Sequence, residues 1–295
     1  MRRLISSSLI ALFVFTAAQA QRSKLKVYIS ADMEGVGGVS TQVQAGRDGR
    51  EYEKFCRLMT KEVNAAVEGA FNAGATEVLV SDSHGDGQNI DVELLDVRAR
   101  LVRAWPRPLG MVQGIDNTFD AVVFIGFHSA EGTGTAIMSH TIQGREIYEI
   151  KLNGRAVPEP GIAAAIAGNY GVPVVFLSGD QTICRDAVRL LGPIETATVK
   201  EAVGFFSATM IHPSEAQRLI REGVKRGIER RRELSAFKLP PPVKMEIAFK
   251  RVVNAELTSY LPGVERPSGN TIVFTGRDMV EASKFLTAIT GINTF

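Results

Sequence analysis

The sequence predicts an α/β chain, a largely parallel sheet flanked by helices, with a smaller C-terminal α+β domain. Three observations predict it. Strand-like runs alternate with helix-like runs through most of the chain. Several of the strand-like runs are apolar throughout, as strands covered on both faces require. The pattern changes character in the last third, where Pro240-Pro241-Pro242 interrupts the chain.

Taken in order, residues 26–30 read as the first strand. Residues 51–72 read as a helix, because Phe55, Leu58, Met59, Val63, Ala66, Val67 and Ala70 recur at helical spacing and Gly74 is placed to end it. Residues 77–81 and the wholly apolar 121–126 are the next strands. Residues 145–151 and the stretch after Asn153-Gly154 predict a hairpin, since Asn-Gly suits a type I′ turn. A small-residue helix (161–168), a buried strand (172–177) and a helix (181–191) follow. Residues 213–234 predict a long amphipathic helix with Ala216, Leu219, Ile220, Val224 and Ile228 on one face. Its Arg221, Arg226, Arg230, Arg231 and Arg232 read as a solvated face. Strands at 243–249 and 271–274 and a helix at 278–289 complete the chain. The expected division is a signal peptide at 1–20, an α/β metal-binding catalytic domain at 21–200 and a smaller α+β domain at 201–295.

The signal peptide rests on Arg2 and Arg3, the apolar run Leu9 to Phe15, and Ala18-Gln19-Ala20. That run is short for the roughly 20 residues of a spanning helix, so cleavage after Ala20 and export are expected, with no membrane association of the mature form. Removing 20 of 295 residues leaves 275. The 34 Lys and Arg lose Arg2 and Arg3 and then equal the 32 Asp and Glu. Formal neutrality argues against a nucleic-acid partner. Cys56 and Cys184 both fall in predicted helices and read as buried free thiols.

The chemistry lies where acids and histidines meet strand ends. The first strand runs into Ser30-Ala31-Asp32-Met33-Glu34-Gly35, and His84, His128 and His140 follow Asp82-Ser83, Gly126-Phe127 and Met138-Ser139. Carboxyl ends of parallel strands share one sheet edge, where ligand sites form, so Asp32, Glu34, His84 and His128 can converge. Imidazole with carboxylate suits zinc first, then manganese or iron. Cysteine is absent from the set, which favours a hydrolytic over a structural site. His212, before Pro213, reads as structural or surface. Gly35-Val36-Gly37-Gly38 and Gly132-Thr133-Gly134-Thr135 match neither nucleotide-loop spacing, and no Gly-x-Ser-x-Gly elbow is present.

Ser-Ala-Asp-Met-Glu-Gly at 30–35, Asp-Ser-His at 82–84, Gly-Phe-His at 126–128, Met-Ser-His at 138–140 and Pro-Glu-Pro-Gly at 158–161 stand in one order and spacing. In these, and in Pro262-Gly263 and the stretch 277–282, the chain resembles the DppA-type zinc D-aminopeptidases from about Lys26 to its C-terminus. The resemblance implies a pair of zinc ions. Asp32 would bridge them, Glu34 and His84 would hold one, and His128 and Glu159 the other. It implies a catalytic His140, as nucleophile or as general acid/base, short peptides with N-terminal D-residues as substrates, and a homo-oligomer. The residues themselves do not single out Glu159. Around it the chain departs from the usual Gly-Glu-x-Gly-x-Asn, with prolines at 158 and 160 and Ala163 in place of Asn. The alternative readings are another metal-dependent amidase or phosphoesterase, and an exported metal- or peptide-binding protein without turnover.

Overall fold

A computed structural model describes residues 24–291; the predicted signal peptide lies outside them. In chain order the elements are β1 (Lys26–Ala31), α1 (Gln42–Ala45), α2 (Tyr52–Asn72), β2 (Glu77–Asp82), β3 (Ala99–Val102), β4 (Ala121–Phe127), β5 (Ile147–Leu152), β6 (Arg155–Ala156), α3 (Glu159–Asn169), β7 (Val174–Asp180), α4 (Gln181–Leu191), β8 (Glu195–Gly204), β9 (Ser207–Met210), α5 (Pro213–Glu229), β10 (Val243–Phe249), α6 (Val252–Thr258), β11 (Val264–Glu265), β12 (Thr271–Gly276) and α7 (Met279–Gly291).

The larger sheet has the order β3-β2-β1-β4-β7-β8-β9. All its neighbours pair in parallel except β8 and β9. The chain lays β2 and β3 to one side of β1, then returns to build β4, β7 and β8 on the other. The carboxyl ends of β1 and β4 therefore flank the point where strand order reverses, the preferred ligand crevice of open α/β sheets. β4 and β7 are buried at every residue, in keeping with their unbroken apolar runs.

Each face of this sheet is covered. On one, Val63, Ala66 and Val67 of α2 and Ile220, Val224 and Ile228 of α5 share a core with Val27, Ile29 and Val123. On the other, Tyr28, Val122 and Phe124 pack with α3, α4, α7 and the second sheet. At apolar burial of about 25 cal/mol per Å² these two layers supply the main stabilising term of the fold. The arginines of α5 pair outward, Arg221 with Glu68 at 3.1 Å and Arg230 with Glu195 at 2.7 Å, as a solvated face should.

The second sheet, β11-β12-β10-β5-β6, is antiparallel. Its β5–β6 hairpin turns at Asn153 (φ 48°) and Gly154 (φ 82°), both in the left-handed region that a type I′ turn needs. The division expected near residue 200 does not follow the sheets. It falls inside β8, α5 packs on the larger sheet, and the second sheet takes β5 and β6 from the middle of the chain. The physical reason is that Ile147, Ile150 and Leu152 share one core with Met245, Ile247 and Ile272. Cys56 and Cys184 are both buried and free, as predicted. Among the described residues no helix is long and apolar enough to cross a membrane.

Candidate metal centre

Four segments bring the predicted residues together at the carboxyl edge. After β1 the chain stays tied to β4: Asp32 N–H donates to Ile125 C=O (2.8 Å) and Gly35 N–H to Gly126 C=O (2.7 Å). A Cβ at Gly35 would collide with the Phe127 carbonyl oxygen, so only glycine permits this close pass. Asp32 and Glu34 are thereby held beside His128, which follows β4. His84 follows β2, and its loop is set by Asp82, whose carboxylate accepts from the backbone N–H groups of Asn89 and Ile90 (2.6 Å each). Glu159 is the first residue of α3.

All six predicted residues reach this place. His84 Nδ1 lies 2.9 Å from Glu34 Oε2 and 3.2 Å from Asp32 Oδ1. His128 Nε2 lies 3.3 Å from Asp32 Oδ2 and 3.4 Å from Glu159 Oε1. His140 Nε2 is 3.6 Å from Glu159 Oε1, and its ring stacks on His128 with centroids 4.0 Å apart. Asp32 thus stands between the two halves, one oxygen toward each. His212, by contrast, accepts from Ser214 N–H at the start of α5, a structural role.

The hydrogen bonds assign the ring tautomers. A carbonyl only accepts, so His84 Nε2 donates to Ala45 C=O (2.8 Å) and leaves the Nδ1 lone pair facing Asp32 and Glu34. His128 Nδ1 donates to Ser129 C=O (2.9 Å), which bares Nε2 toward Asp32 and Glu159. Backbone carbonyls commonly orient metal-binding imidazoles in this way. Glu159 Oε1 also accepts from Ile142 N–H (2.6 Å).

Without a cation, the same cluster would settle as paired opposite charges. Burial alone would raise the Glu34 and Glu159 carboxyls, but the facing His84 and His128 more than offset it and hold both below the usual range. Burial alone would lower both histidines, and the carboxylates raise them instead, His84 chiefly through Glu34 and His128 chiefly through Glu159. Asp32 Oδ2 and His128 Nε2 are nevertheless buried without a hydrogen-bond partner. Such orphaned atoms are costly in a native interior, and a bound cation would remove the cost. Three carboxylates and two neutral imidazoles fit zinc. Two overlapping groups have the geometry of a metal site: Asp32, Glu34 and His128, and His128, His140 and Glu159.

A profile of the D-aminopeptidase family matches residues 25–288. The chain belongs to the D-aminopeptidase family. It is 34% identical over 272 residues to the D-aminopeptidase of Bacillus subtilis (strain 168), covering 90% of this chain and 97% of that one. The solved structure of the Zn-dependent D-aminopeptidase DppA from Bacillus subtilis, a self-compartmentalizing protease, matches with a TM-score of 0.88 and 32% identity over the same shares of the two chains. The resemblance read from the five motifs is thus confirmed for the family.

Around the candidate centre of this D-aminopeptidase family member stand residues that sequence reading passed over. Lys200, on β8 and buried, donates through Nζ to the carbonyls of Glu34 (2.5 Å), Val36 (2.9 Å) and Val39 (2.6 Å), pinning the loop that carries Glu34. Asp180, ending β7, caps α4 with Oδ1 and with Oδ2 holds Ile137 N–H at 2.9 Å, which fixes the segment leading to His140. Nothing in the sequence reading marked Lys200, because β8 itself was not recognised as a strand.

Proposed function

We propose that this chain is an exported enzyme that holds two zinc ions and removes N-terminal D-residues from short peptides as a homo-oligomer. The coarser class follows from the family: it is a metallo-aminopeptidase, a hydrolase acting on peptide bonds. The observation that carries the reading is Asp32, buried, with Oδ1 3.2 Å from His84 Nδ1 and Oδ2 3.3 Å from His128 Nε2. In this reading Asp32 serves both ions, Glu34 and His84 hold one, and His128 and Glu159 the other. Zinc bound there supplies Lewis-acid polarisation of a scissile carbonyl and acidifies water toward neutral pH.

The chain's own groups do the remaining work. Near-complete burial of Asp32, Glu34, His128 and Glu159 excludes bulk water and strengthens each charge interaction. His140 donates Nδ1–H to Met138 C=O at 2.9 Å, so its Nε2 carries a free lone pair at the edge of the centre. That nitrogen takes the proton of the attacking water and returns it to the leaving amine. Preference for D-residues and for peptides is supported by the relatives' activity, self-association by the self-compartmentalizing relative, and export by the residue pattern of 1–20.

Metal analysis of the mature protein, begun at Gln21, tests the centre. Two zinc ions per chain are expected, none or nearly none in Asp32→Ala, and one each in His84→Ala and His128→Ala. Retention of two ions by Asp32→Ala removes the bridging role. Release of free amino acid from D- but not L-aminoacyl dipeptides tests the substrate.

A further inference from the structure

A cavity of about 450 Å³ adjoins the centre, and Glu159 forms part of its wall. Helix α3 supplies one side. Ile162, Ala163 and Ile166 stand three, four and seven residues beyond Glu159, hence on the same helical face, and all are buried and line the cavity. The helix thus runs as a ruler from a carboxylate of the centre into an apolar space. Seven residues rise roughly 10 Å, enough for the longest apolar side chains. Met111 and Leu286 face them from the opposite side, and exposed Gly85 and Gln88, just after His84, border the mouth. The volume falls in the range of small-ligand sites, roughly 300–1,000 Å³.

We infer that this cavity receives the side chain of the substrate's N-terminal residue and selects large apolar residues such as leucine or phenylalanine over alanine. The inference rests on the aminopeptidase reading above. An aminopeptidase must place the carbonyl of the terminal residue at the reacting centre, so the side chain one bond away projects into whatever space adjoins it. Here that space is lined by Ile162, Ala163, Ile166, Met111 and Leu286. The charged side chains of its lining are Glu159 at the centre and Asp86, which lies with exposed Gly85 and Gln88 at the mouth. A small side chain would leave these residues facing water, and a large one covers them. Ala163 decides the width, because its short side chain at the second helical turn leaves room that any longer residue would take.

The chain offers its own reporter. Trp105 is its only tryptophan and lines the cavity. The experiment uses the zinc-loaded mature enzyme and the Ala163→Leu variant, with melting temperatures compared to confirm folding. The dipeptides are D-Leu-Gly, D-Phe-Gly, D-Ala-Gly and D-Ala-D-Leu, and Trp105 emission is followed on titration with D-leucine and with D-alanine. Hydrophobic-pocket discrimination is worth about 10- to 200-fold per methylene, so kcat/KM for D-Leu-Gly and D-Phe-Gly should exceed that for D-Ala-Gly at least about tenfold. Ala163→Leu should compress that ratio by a similar factor, and D-leucine alone should shift the emission. Equal rates across the panel, or a ratio unchanged in Ala163→Leu, overturn the inference while leaving the aminopeptidase intact. A preference appearing only for leucine in the second position also overturns it. If no dipeptide is cleaved, the functional reading fails, and the emission titration still decides the cavity: a shift with D-leucine alone supports it, and no shift or equal shifts refute it.

Discussion

His140 differs from the two imidazoles beside it in what its inner nitrogen meets. His84 Nδ1 and His128 Nε2 each face two carboxylates, while His140 Nε2 has one at 3.6 Å, and its side chain is 24% exposed against 1% for His128. A ring that is reachable, oriented by Met138 C=O and stacked on a neighbour suits proton transfer better than permanent ligation. His140→Ala should keep its zinc and its melting temperature while kcat falls by roughly a hundred- to ten-thousandfold. Metal content, melting temperature and turnover on one preparation check it. Because His128, His140 and Glu159 also satisfy ligand geometry, loss of one zinc in this variant would instead make His140 a ligand.

Among the elements, the segment from Asp32 to Val39 depends on two buried charges. Glu62 on α2 accepts from Gly37 N–H at 2.8 Å, and Lys200 on β8 binds three carbonyls of the same segment. Burial pushes the Glu62 carboxyl up to about 7, against the lowering pull of Gly37 N–H and Lys200, and burial brings Lys200 down to about 8. For Glu62 the folded state holds its proton more tightly than the unfolded chain. Its contribution is therefore complete below the unfolded value near 4.5 and is lost as pH rises through about 7. Glu62→Gln keeps an acceptor for Gly37 and removes the titration. Wild type should lose stability relative to Glu62→Gln between pH 5 and 7.5, by on the order of 3 kcal/mol at most from a shift of this size. Denaturant unfolding at the two pH values measures it, and a constant difference would refute it.

The strands that lead into the candidate ligands were legible because β1, β2 and β4 are apolar runs followed by acids or histidines. β3, β8 and β9 were not. They lie at or toward the sheet edges, are only partly buried, and mix charged residues such as Arg100 and Glu201 with small apolar ones. Glu159 escaped residue-level reading because it opens a helix between two prolines and follows no strand of the parallel sheet. Its partners lie in other segments, a relation that spacing cannot express. The cavity was equally hidden, since it exists only where α7 closes over α3.

At the scale of the molecule, α6 and the turn after it expose Val252, Val253, Leu257, Tyr260 and Leu261 close together in sequence. Exposed apolar patches commonly mark protein contacts, and this cluster in sequence favours the proposed self-association. The mature chain should sediment as a homo-oligomer, and Leu257→Glu, exposed at 61% and so tolerable to the monomer fold, should shift it to smaller species. A wild-type monomer at micromolar concentration would refute the assembly.

The proposed ligands come from the ends of β1, β2 and β4 and from the first turn of α3, segments far apart in the chain. In the proposed arrangement, two ions joined through Asp32 would link all four as a removable cross-link. Binding to the folded chain alone stabilises it by RT ln(1 + [L]/Kd), about 2.7 kcal/mol when free ion stands at a hundred times Kd. On the proposed reading, the resistance of this protein to heat would be partly a property of its surroundings, rising and falling with the free zinc concentration by mass action.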